Sequence, residues 1–287
     1  MTLFKYLPST RLDFFQTLRL RYSQPAVFND PFEGKPFYPG LVPAEAWASS
    51  YPSRFARVLR EQYDDMDVEF RKSISFEAFA LLMDHTRPEI YGIFRKVDAS
   101  FTPEINRMMN ETFCEKMGAL SLSEVRDNQL MWAHYAESHK GFVVEFEPTH
   151  SLFTSKGVGP DDLWQLHKIG YANERPQTYV IDLDMRAILL TKHISWSYEC
   201  EWKHFRPLNQ ASVILQESPL PVHLFDFPPE CICSVTFGAL MQNEVRAKTE
   251  MVIRSNEKLC HLKMFEMQLD ERKYELHLRP YGEHITK

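Results

Sequence analysis

The sequence predicts an α+β protein in which a central mixed or antiparallel sheet carries a helical insertion and flanking helices. Short segments of alternating apolar and polar residues, typical of strands, occur near both ends and in the middle of the chain. Residues 44–117 instead place apolar side chains at i, i+3 and i+4, which is typical of amphipathic helices. The chain has 287 residues and no internal repeat. We therefore expect a single α+β domain over residues 1–287, with a mainly helical insertion at about 44–117.

In chain order, the first elements are short periodic segments separated by prolines. Residues 4–7 and 20–23 alternate like strands, and residues 10–18 carry apolar side chains at helical spacing. Prolines and Asx residues predict a loop at residues 27–43. Within the insertion, helices are predicted at residues 55–60, 76–83 and 105–113, joined around residues 86–88 and 101–103.

The second half of the chain predicts further strands interrupted by short helices. The clearest strand is residues 194–203, where apolar and polar residues alternate strictly. The other predicted strands are residues 118–123, 141–146, 168–171, 231–237, 262–269 and 274–278, and the predicted helices are residues 131–135, 184–190 and 243–253.

Composition and charge exclude several classes of partner. The formal net charge is −6, whereas general binders of nucleic acids or anionic membranes are usually basic; a local basic groove stays open. The chain has no apolar run of ~20 residues, the length that a membrane helix needs, and its first residues show no export signal. Its five cysteines form an odd, scattered set, which predicts a cytoplasmic protein without a disulfide framework. Cys231 and Cys233 lack further ligands at metal-site spacing, so we expect no metal site.

A first group of candidate residues lies in the predicted loop, in the motif Phe28-Asn-Asp-Pro-Phe-Glu33. Asn29 and Asp30 beside a rigid proline can hold a ligand-binding loop through bonds from side chain to backbone. The alternative is an Asx-Pro turn with no ligand, since such turns are common.

A second group is the motif Met131-Trp-Ala-His-Tyr135. On a helix, Trp132 and Tyr135 lie three residues apart on one side, with His134 beside them. Two aromatic rings and an imidazole suit a flat heteroaromatic ligand or acid–base chemistry. The alternative is an aromatic pair that faces the core, with one hydrogen-bonded histidine.

A third group is the pair Glu199 and Glu201 within the predicted strand. Two carboxylates on one face, with ~7 Å between their Cα atoms, can divide acid–base work and the stabilisation of positive charge. The alternative is a solvated polar face with Lys203 and Arg206 as neighbours. The chain has no glycine-rich phosphate loop, HExxH motif, nucleophile elbow or kinase motif set, which removes the common enzyme classes that depend on them.

Taken in order, these motifs resemble a widespread bacterial family known as a domain of unknown function. The resemblance rests on Phe4-Lys-Tyr6, Phe28-Asn-Asp-Pro-Phe-Glu33, Leu120-Ser-Leu-Ser123, Met131-Trp-Ala-His-Tyr-Ala136, Gly141-Phe-Val-Val-Glu-Phe146 and Trp196-Ser-Tyr-Glu-Cys-Glu-Trp202. Residues 44–117 match this pattern least. Lys203 departs from it, because arginine is expected after Glu-Trp and a bidentate contact would be lost.

The same motif order is also similar to the layout of ADP-ribosyltransferases. That resemblance implies Glu201 as the catalytic carboxylate, Glu199 as its helper, and NAD as the cosubstrate; His134 is a further catalytic candidate because of its acid–base chemistry. It implies an NAD site formed by Lys5, Tyr6, Asn29, Asp30, Ser121, Ser123, Trp132 and Tyr135. Lys5 stands where such enzymes carry arginine or histidine. Of the two aromatic residues, Trp132 is expected mostly to pack, while His134 and Tyr135 face the ligand.

Three functions follow as hypotheses. The first is a cytoplasmic, NAD-consuming ADP-ribosyltransferase-like enzyme or glycohydrolase, acting as a toxin or phage-defence effector on an unspecified acceptor. The second is a nucleotide-sensing or protein-interaction module without turnover. The third is a nuclease that holds Mg²⁺ with Asp30, Glu145, Glu199 and Glu201. In each case we expect no membrane partner. The first function implies a small nucleotide ligand, and the second a nucleotide or a peptide.

Overall fold

A computed structural model describes residues 2–155, 163–182, 184–217 and 220–282. Its strands are Leu3–Leu7 (β1), Arg19–Tyr22 (β2), Met117–Ser123 (β3), Phe142–Phe146 (β4), His167–Lys168 (β5), Gly170–Ala172 (β6), Thr191–His193 (β7), Glu201–Pro207 (β8), Val213–Leu215 (β9), Val222–Asp226 (β10), Ile232–Phe237 (β11), Lys263–Leu269 (β12) and Leu276–Pro280 (β13). Its α-helices are Phe14–Thr17 (α1), Ala44–Asp65 (α2), Val68–Ser73 (α3), Phe76–Met83 (α4), Arg87–Lys116 (α5), Gln129–Tyr135 (α6), Ser151–Thr154 (α7), Met185–Leu189 (α8) and Asn243–Ser255 (α9). The predicted α+β class, with its mixed sheet and helical insertion, is confirmed.

The main sheet has eight strands in the order β13-β12-β11-β4-β1-β3-β8-β5. Strands β11 and β12 run parallel, whereas β1 pairs antiparallel with both β3 and β4. Separate small sheets are formed by β2-β10-β9 and by the parallel pair β6-β7. Strand β1 therefore lies inside the sheet with a neighbour on each side, which brings residues from both ends and the middle of the sequence together.

The central strands bury both of their faces. In β1, Leu3 and Leu7 pack into the larger hydrophobic cluster, while Phe4 and Tyr6 pack into a second cluster. This division follows from the alternation of side chains along a strand. The larger cluster includes Phe14 and Phe15, contributed by α1. Buried on both faces, β1 is a rigid support for side chains at its margins.

Between α6 and β4 the backbone makes a left-handed turn. Three consecutive residues have positive φ: Glu137 at 50°, Ser138 at 53° and His139 at 67°. Such conformations are unfavourable for residues other than glycine, so surrounding bonds have to hold them. Glu137 Oε2 accepts bonds from the amide and hydroxyl of Ser9, and the His139 carbonyl accepts one from the Leu240 amide. These bonds fix the direction in which the chain leaves α6 and enters β4.

The chain divides into two compact units, one of residues 1–35, 112–175 and 186–287 and the other of residues 36–111 and 176–185. The second unit is mainly helical and has its own core, built on the ridge of Tyr51, Phe55 and Leu59 along α2. The expectation of one domain stays a prediction, and each unit is described by itself.

The predicted joint at residues 101–103 is wrong, because α5 continues through Pro103. Proline removes one backbone donor from a helix. Near this point Thr102 Oγ1 donates to the Asp98 carbonyl over 2.9 Å, and Asn106 Nδ2 donates to the Thr102 carbonyl over 2.9 Å. These side chains supply hydrogen bonds next to the proline, and the helix is not broken.

The predicted strand at residues 194–203 is also wrong over its first half. Residues Ile194–Glu199 form a 3₁₀ helix, Cys200 has a left-handed φ of 44°, and the strand begins at Glu201. The His193 ring caps this helix by accepting from the Ser195 amide. Apolar residues at every second position therefore belong to a 3₁₀ turn and a kink here. Glu199 and Glu201 lie on either side of the kink instead of on one strand face.

Candidate functional site

A cavity of about 260 Å³ opens in the first unit beside β1 and β3. It is lined by Phe4, Lys5, Tyr6, Ser23, Val27, Phe28, Asn29, Glu33, Ala119, Ser121, Leu122, Ser123, Met131, Tyr135, Lys192, Glu199 and Glu201. Residues that are far apart in the sequence meet here because β1 and β3 are adjacent and antiparallel, and because β8 follows β3 in the sheet. We refer to this space as the β1–β3 cavity.

Lys192 lies at the centre of the polar wall of the cavity. Its Nζ is 2.6 Å from Glu199 Oε2, 3.1 Å from Glu201 Oε2 and 3.4 Å from Glu33 Oε2. Lys192 is 6% exposed, and the three glutamates are between 3% and 5% exposed. Charges this deeply buried are tolerated only when they are paired and hydrogen-bonded. One lysine thus holds three carboxylates together.

Glu199 is the more firmly held of the 199/201 pair. The Tyr135 hydroxyl donates to its Oε1 over 2.5 Å, and Lys192 donates to its Oε2. The Ser123 hydroxyl donates to the Glu199 carbonyl over 2.6 Å. Both carboxylate oxygens and the backbone are therefore engaged by protein donors, which makes Glu199 a fixed part of the wall.

Glu201 is the first residue of β8, and its carboxylate lines the cavity. The Glu201 amide donates to the Tyr171 hydroxyl oxygen over 2.9 Å, which fixes its backbone. Burial, the largest cause, raises the pKa of Glu201, and the Glu199 charge raises it further; Lys192 and a hydrogen bond with Ser121 oppose this. Burial thus favours the protonated form of this carboxylate, and Lys192 is the largest influence that opposes it.

A second buried lysine, Lys203, contacts Glu33 behind the cavity wall. Its ammonium group also lies 4.3 Å from the centre of the Phe28 ring. Burial lowers the pKa of Lys203 to about 7, partly opposed by the charge of Asp30. Lys203 thus lies in the site's charge network, where it joins β8 to the Phe28–Glu33 loop.

Lys5 is the remaining cation in the described lining of the cavity. Its ammonium group donates to the Ser121 carbonyl over 2.9 Å, which ties β1 to β3. Burial lowers the pKa of Lys5 to about 8, against the raising effect of Glu201. Lys192 behaves oppositely: burial lowers its pKa, but Glu201 and Glu199 outweigh this and the pKa is raised. Lys192 therefore stays charged at neutral pH, whereas Lys5 titrates closer to it.

The structure brings together most of the residues singled out from the sequence. Those that line the cavity are Lys5, Tyr6, Asn29, Ser121, Ser123, Tyr135, Glu199 and Glu201. Tyr6 also anchors the loop after β3 by donating to the Val125 carbonyl over 2.8 Å.

Three of the predicted residues lie outside the described lining. Trp132 is fully buried in the second hydrophobic cluster, and its Nε1 donates to the Arg126 carbonyl over 2.7 Å. His134 is exposed at the end of α6, with its ring 6.3 Å from that of Tyr135. Asp30 is buried in the loop, where its Oδ1 accepts from the Phe32 amide in an Asx turn. All three neighbour lining residues in the sequence, and their roles in the site stay predictions.

Sequence reasoning missed Lys192 and did not assign Glu33 a role. Glu33 ends the Phe28–Glu33 motif, so the motif itself was a signal. Lys192 stands between Thr191 and His193 with no pattern to mark it. Its importance comes from burial and from partners on other elements, and a single sequence reveals neither.

The four acidic residues of the metal-dependent alternative are not all in one place: Glu199 and Glu201 line the cavity, whereas Asp30 and Glu145 are outside its described lining. Glu145 bonds to the Ser234 hydroxyl and lies 3.8 Å from Arg126 Nη1. Within the described parts of the chain, the carboxylates and imidazoles close enough to share an ion are Asp270, Glu275 and His277. These belong to the β12–β13 hairpin and are not in the cavity lining.

Comparisons with known proteins find a similarity for one part of the chain. No helix among the described residues has both the length and the apolar character to cross a membrane. No curated protein and no solved structure matches the chain. Residues 131–203, which contribute Tyr135, Lys192, Glu199 and Glu201 to the site, match the model of the family described as a protein of unknown function (DUF2971), and this confirms the expected similarity to a domain of unknown function.

Proposed function

We propose that the protein cleaves the N-glycosidic bond between nicotinamide and ribose in NAD, as a glycohydrolase or an ADP-ribosyltransferase-like enzyme. The observation that carries this proposal is that Glu199 and Glu201 share one buried cavity with Lys192. Aromatic rings form part of the same wall, from Phe4, Tyr6, Phe28 and Tyr135. Carboxylates beside aromatic surfaces suit a planar, positively charged ring attached to a sugar.

The chemistry needs a carboxylate at the point where positive charge develops. As the bond from ribose C1′ to the nicotinamide nitrogen breaks, its electron pair leaves with nicotinamide and the ribose becomes oxocarbenium-like. A buried carboxylate stabilises that charge more strongly than one in water would. Glu201 is assigned this role on the resemblance to ADP-ribosyltransferases, and the bonds that Glu199 accepts from Tyr135 and Lys192 suit a supporting part. Water or an acceptor hydroxyl then forms the new bond to C1′ through its oxygen and releases its proton to solvent.

The size of the cavity limits what it encloses. Pockets that bury a drug-sized ligand usually measure about 300–1,000 Å³, and this one measures about 260 Å³. A cavity of this size takes the reacting end of a dinucleotide, the nicotinamide and its ribose, and the rest of NAD lies outside it. The lining suits this end of the molecule, because its carboxylates and aromatic rings lie in the same cavity.

The test is the release of nicotinamide from NAD by purified protein, with and without cell lysate as a source of acceptor. Wild type is expected to release it, and Glu201→Gln to lower the rate at least about 100-fold, the cost of losing a preorganised electrostatic group. Glu271→Gln, at an exposed position on the β12–β13 turn, is the matched control and keeps the wild-type rate. No release by wild type under either condition overturns the proposal.

A second candidate, nucleotide sensing without turnover, is favoured by one specific observation. Lys192 already neutralises part of the charge of Glu199 and Glu201, and this weakens their effect on a developing cation. A thermal shift with NAD or another nucleotide, with no nicotinamide formed, supports sensing. Chemical turnover supports the enzyme.

An NAD-consuming activity in a bacterial cytoplasm would deplete a central cofactor, and so we extend the proposal to a toxin or phage-defence role. Induced expression of wild type should lower cellular NAD and slow growth, whereas Glu201→Gln should do neither. If wild type and Glu201→Gln arrest growth equally, the toxicity does not come from NAD consumption and the toxin role is contradicted.

A further inference from the structure

Lys192 differs from the other charged residues of the site in the number of partners that it holds. It comes from the three-residue strand β7, which pairs with β6 in the register Tyr171 to Lys192. Its ammonium group lies 4.7 Å from the centre of the Trp196 ring, close enough for a cation–π contact. A lysine held by a short strand and an aromatic ring has little freedom to leave its partners.

We propose that Lys192 is a positioning residue that keeps Glu201 ionised and directed into the β1–β3 cavity. For the reaction that it serves, this inference rests on the proposed function. The geometry supports it directly: one ammonium group lies within 3.1 Å of an oxygen of each glutamate in the 199/201 pair. Lys192 acts through Glu201 and Glu199, and has no reacting atom of its own.

The physical need for such a residue follows from the burial of two like charges. Two carboxylates in a region of low dielectric repel each other, and one of them takes up a proton unless a cation lies nearby. Glu201 faces burial and the Glu199 charge together, and its hydrogen bond with the neutral Ser121 hydroxyl brings no positive charge. Removing Lys192 therefore takes away the largest influence that favours the ionised form of Glu201.

The other charged and titratable groups around Glu201 have different roles. Lys203 Nζ is 3.9 Å from Glu201 Oε1, is closer to Glu33, and has a pKa lowered by burial. Lys5 donates to a backbone carbonyl. The groups that face Glu201 from the surrounding elements are Lys5, Glu33, Tyr135, Tyr171, Lys192, Glu199 and Lys203. Of these, Lys192 bonds to both members of the pair, and it has a raised pKa that keeps its charge through the neutral range.

The decisive measurement is the titration of the Glu201 carboxylate in protein labelled with ¹³C at glutamate Cδ. Its resonance is the one that disappears in Glu201→Gln. In Lys192→Met the midpoint of this titration is expected to rise by about one pH unit or more, as is usual when a buried carboxylate loses its cation. Lys248→Met, an exposed lysine on α9, is the control and leaves the midpoint unchanged. An unchanged midpoint in Lys192→Met overturns the inference.

A double variant guards against loss of the fold. Lys192→Met combined with Glu199→Gln removes one positive and one negative charge, so the buried charge stays balanced. Glu201 should titrate at higher pH than in Glu199→Gln alone, because Lys192 favours its ionised form whether or not the Glu199 charge is present. A midpoint equal to that of Glu199→Gln alone overturns the role of Lys192.

Activity supplies a second readout that distinguishes this inference from the proposed function. With NAD, Lys192→Met should lower kcat at least about tenfold while KM changes little, because the effect falls on the reacting carboxylate. The rate should recover as pH rises and Glu201 ionises again, and Lys192→Arg should restore most of it at neutral pH. Wild type that releases no nicotinamide overturns the proposed function, and the Glu201 titration still decides whether Lys192 positions that carboxylate.

Discussion

The Tyr135 hydroxyl donates a 2.5 Å hydrogen bond to Glu199 Oε1 and so joins the end of α6 to the residue that precedes the kink before β8. The pKa of Tyr135 is raised, first by burial and then by this bond to a carboxylate, so the hydroxyl keeps its proton at physiological pH. Tyr135 is therefore a permanent donor that holds Glu199 in the cavity wall.

Tyr135→Phe tests that bond. The change leaves Glu199 Oε1 without its donor, and an unsatisfied buried acceptor costs about 1–3 kcal/mol. We expect the free energy of unfolding, measured with urea, to fall by that amount, and nicotinamide release to fall by about tenfold. Tyr22→Phe is the matched control, because it removes a 2.7 Å bond from Tyr22 to buried His204, outside the cavity lining. Equal loss of activity in both variants would contradict a specific role for Tyr135.

His204 makes stability depend on pH in the acid range. Burial, the largest cause, lowers its pKa from 6.5 to about 4. Below pH 6.5 the unfolded chain binds a proton that the folded chain does not, so stability is lost as pH falls towards 4, by up to about 3 kcal/mol. Urea unfolding between pH 7 and 4 measures this slope. His204→Gln should flatten it, while His85→Gln, at an exposed position, should keep it. Parallel slopes in wild type and His204→Gln would rule the assignment out.

Lys5 has the corresponding effect at alkaline pH. Its folded pKa is about 8, against 10.5 for an ordinary lysine, with burial as the largest cause. Stability should therefore rise between pH 8 and 10.5, where the unfolded chain alone keeps the proton. Lys5→Met removes this penalty, and we expect about 1 kcal/mol of added stability at pH 6.5, reduced by solvent screening of the half-buried side chain. The advantage should disappear near pH 10.5. A gain that does not change with pH would point to better packing instead.

Gly141 is needed because the backbone of β1 passes close to it. A Cβ at this position would lie 2.1 Å from the Leu7 carbonyl oxygen and 3.0 Å from Pro8 Cα. Gly141→Ala should lower the free energy of unfolding by about 1–3 kcal/mol, the usual effect of overpacking. Gly92→Ala is the contrasting variant: nothing lies within 4 Å of the added carbon, and the site is inside α5. It should raise helix stability by about 0.5–1 kcal/mol. A thermal melt that changes equally in both variants would argue against the close approach at Gly141.

Local pattern determined much of the secondary structure. The predicted strands at 4–7, 118–123 and 141–146 correspond to β1, β3 and β4, because two-sided burial leaves a clear apolar signal. Local pattern failed at residues 194–203. There a 3₁₀ helix, capped by His193 and ended by the left-handed Cys200, takes the place of the first half of the predicted strand. Apolar residues at every second position do not distinguish this arrangement from an extended strand.

Residue chemistry also identified Glu199, Glu201 and Tyr135 as candidates, since carboxylates and a helix-borne aromatic residue are recognisable by type and spacing. Tertiary structure decided which of the adjacent residues His134 and Tyr135 faces the cavity. Successive side chains of a helix differ in direction by about 100°, so Tyr135 lines the cavity whereas His134 is exposed. The role of Lys192 was not visible in the sequence: the chain folds back after Lys192 so that Glu199 and Glu201, a few residues further on, contact its ammonium group, and a buried loop brings Glu33 from far away in the sequence. A charge becomes decisive only when burial removes the water around it, and burial is a property of the folded chain.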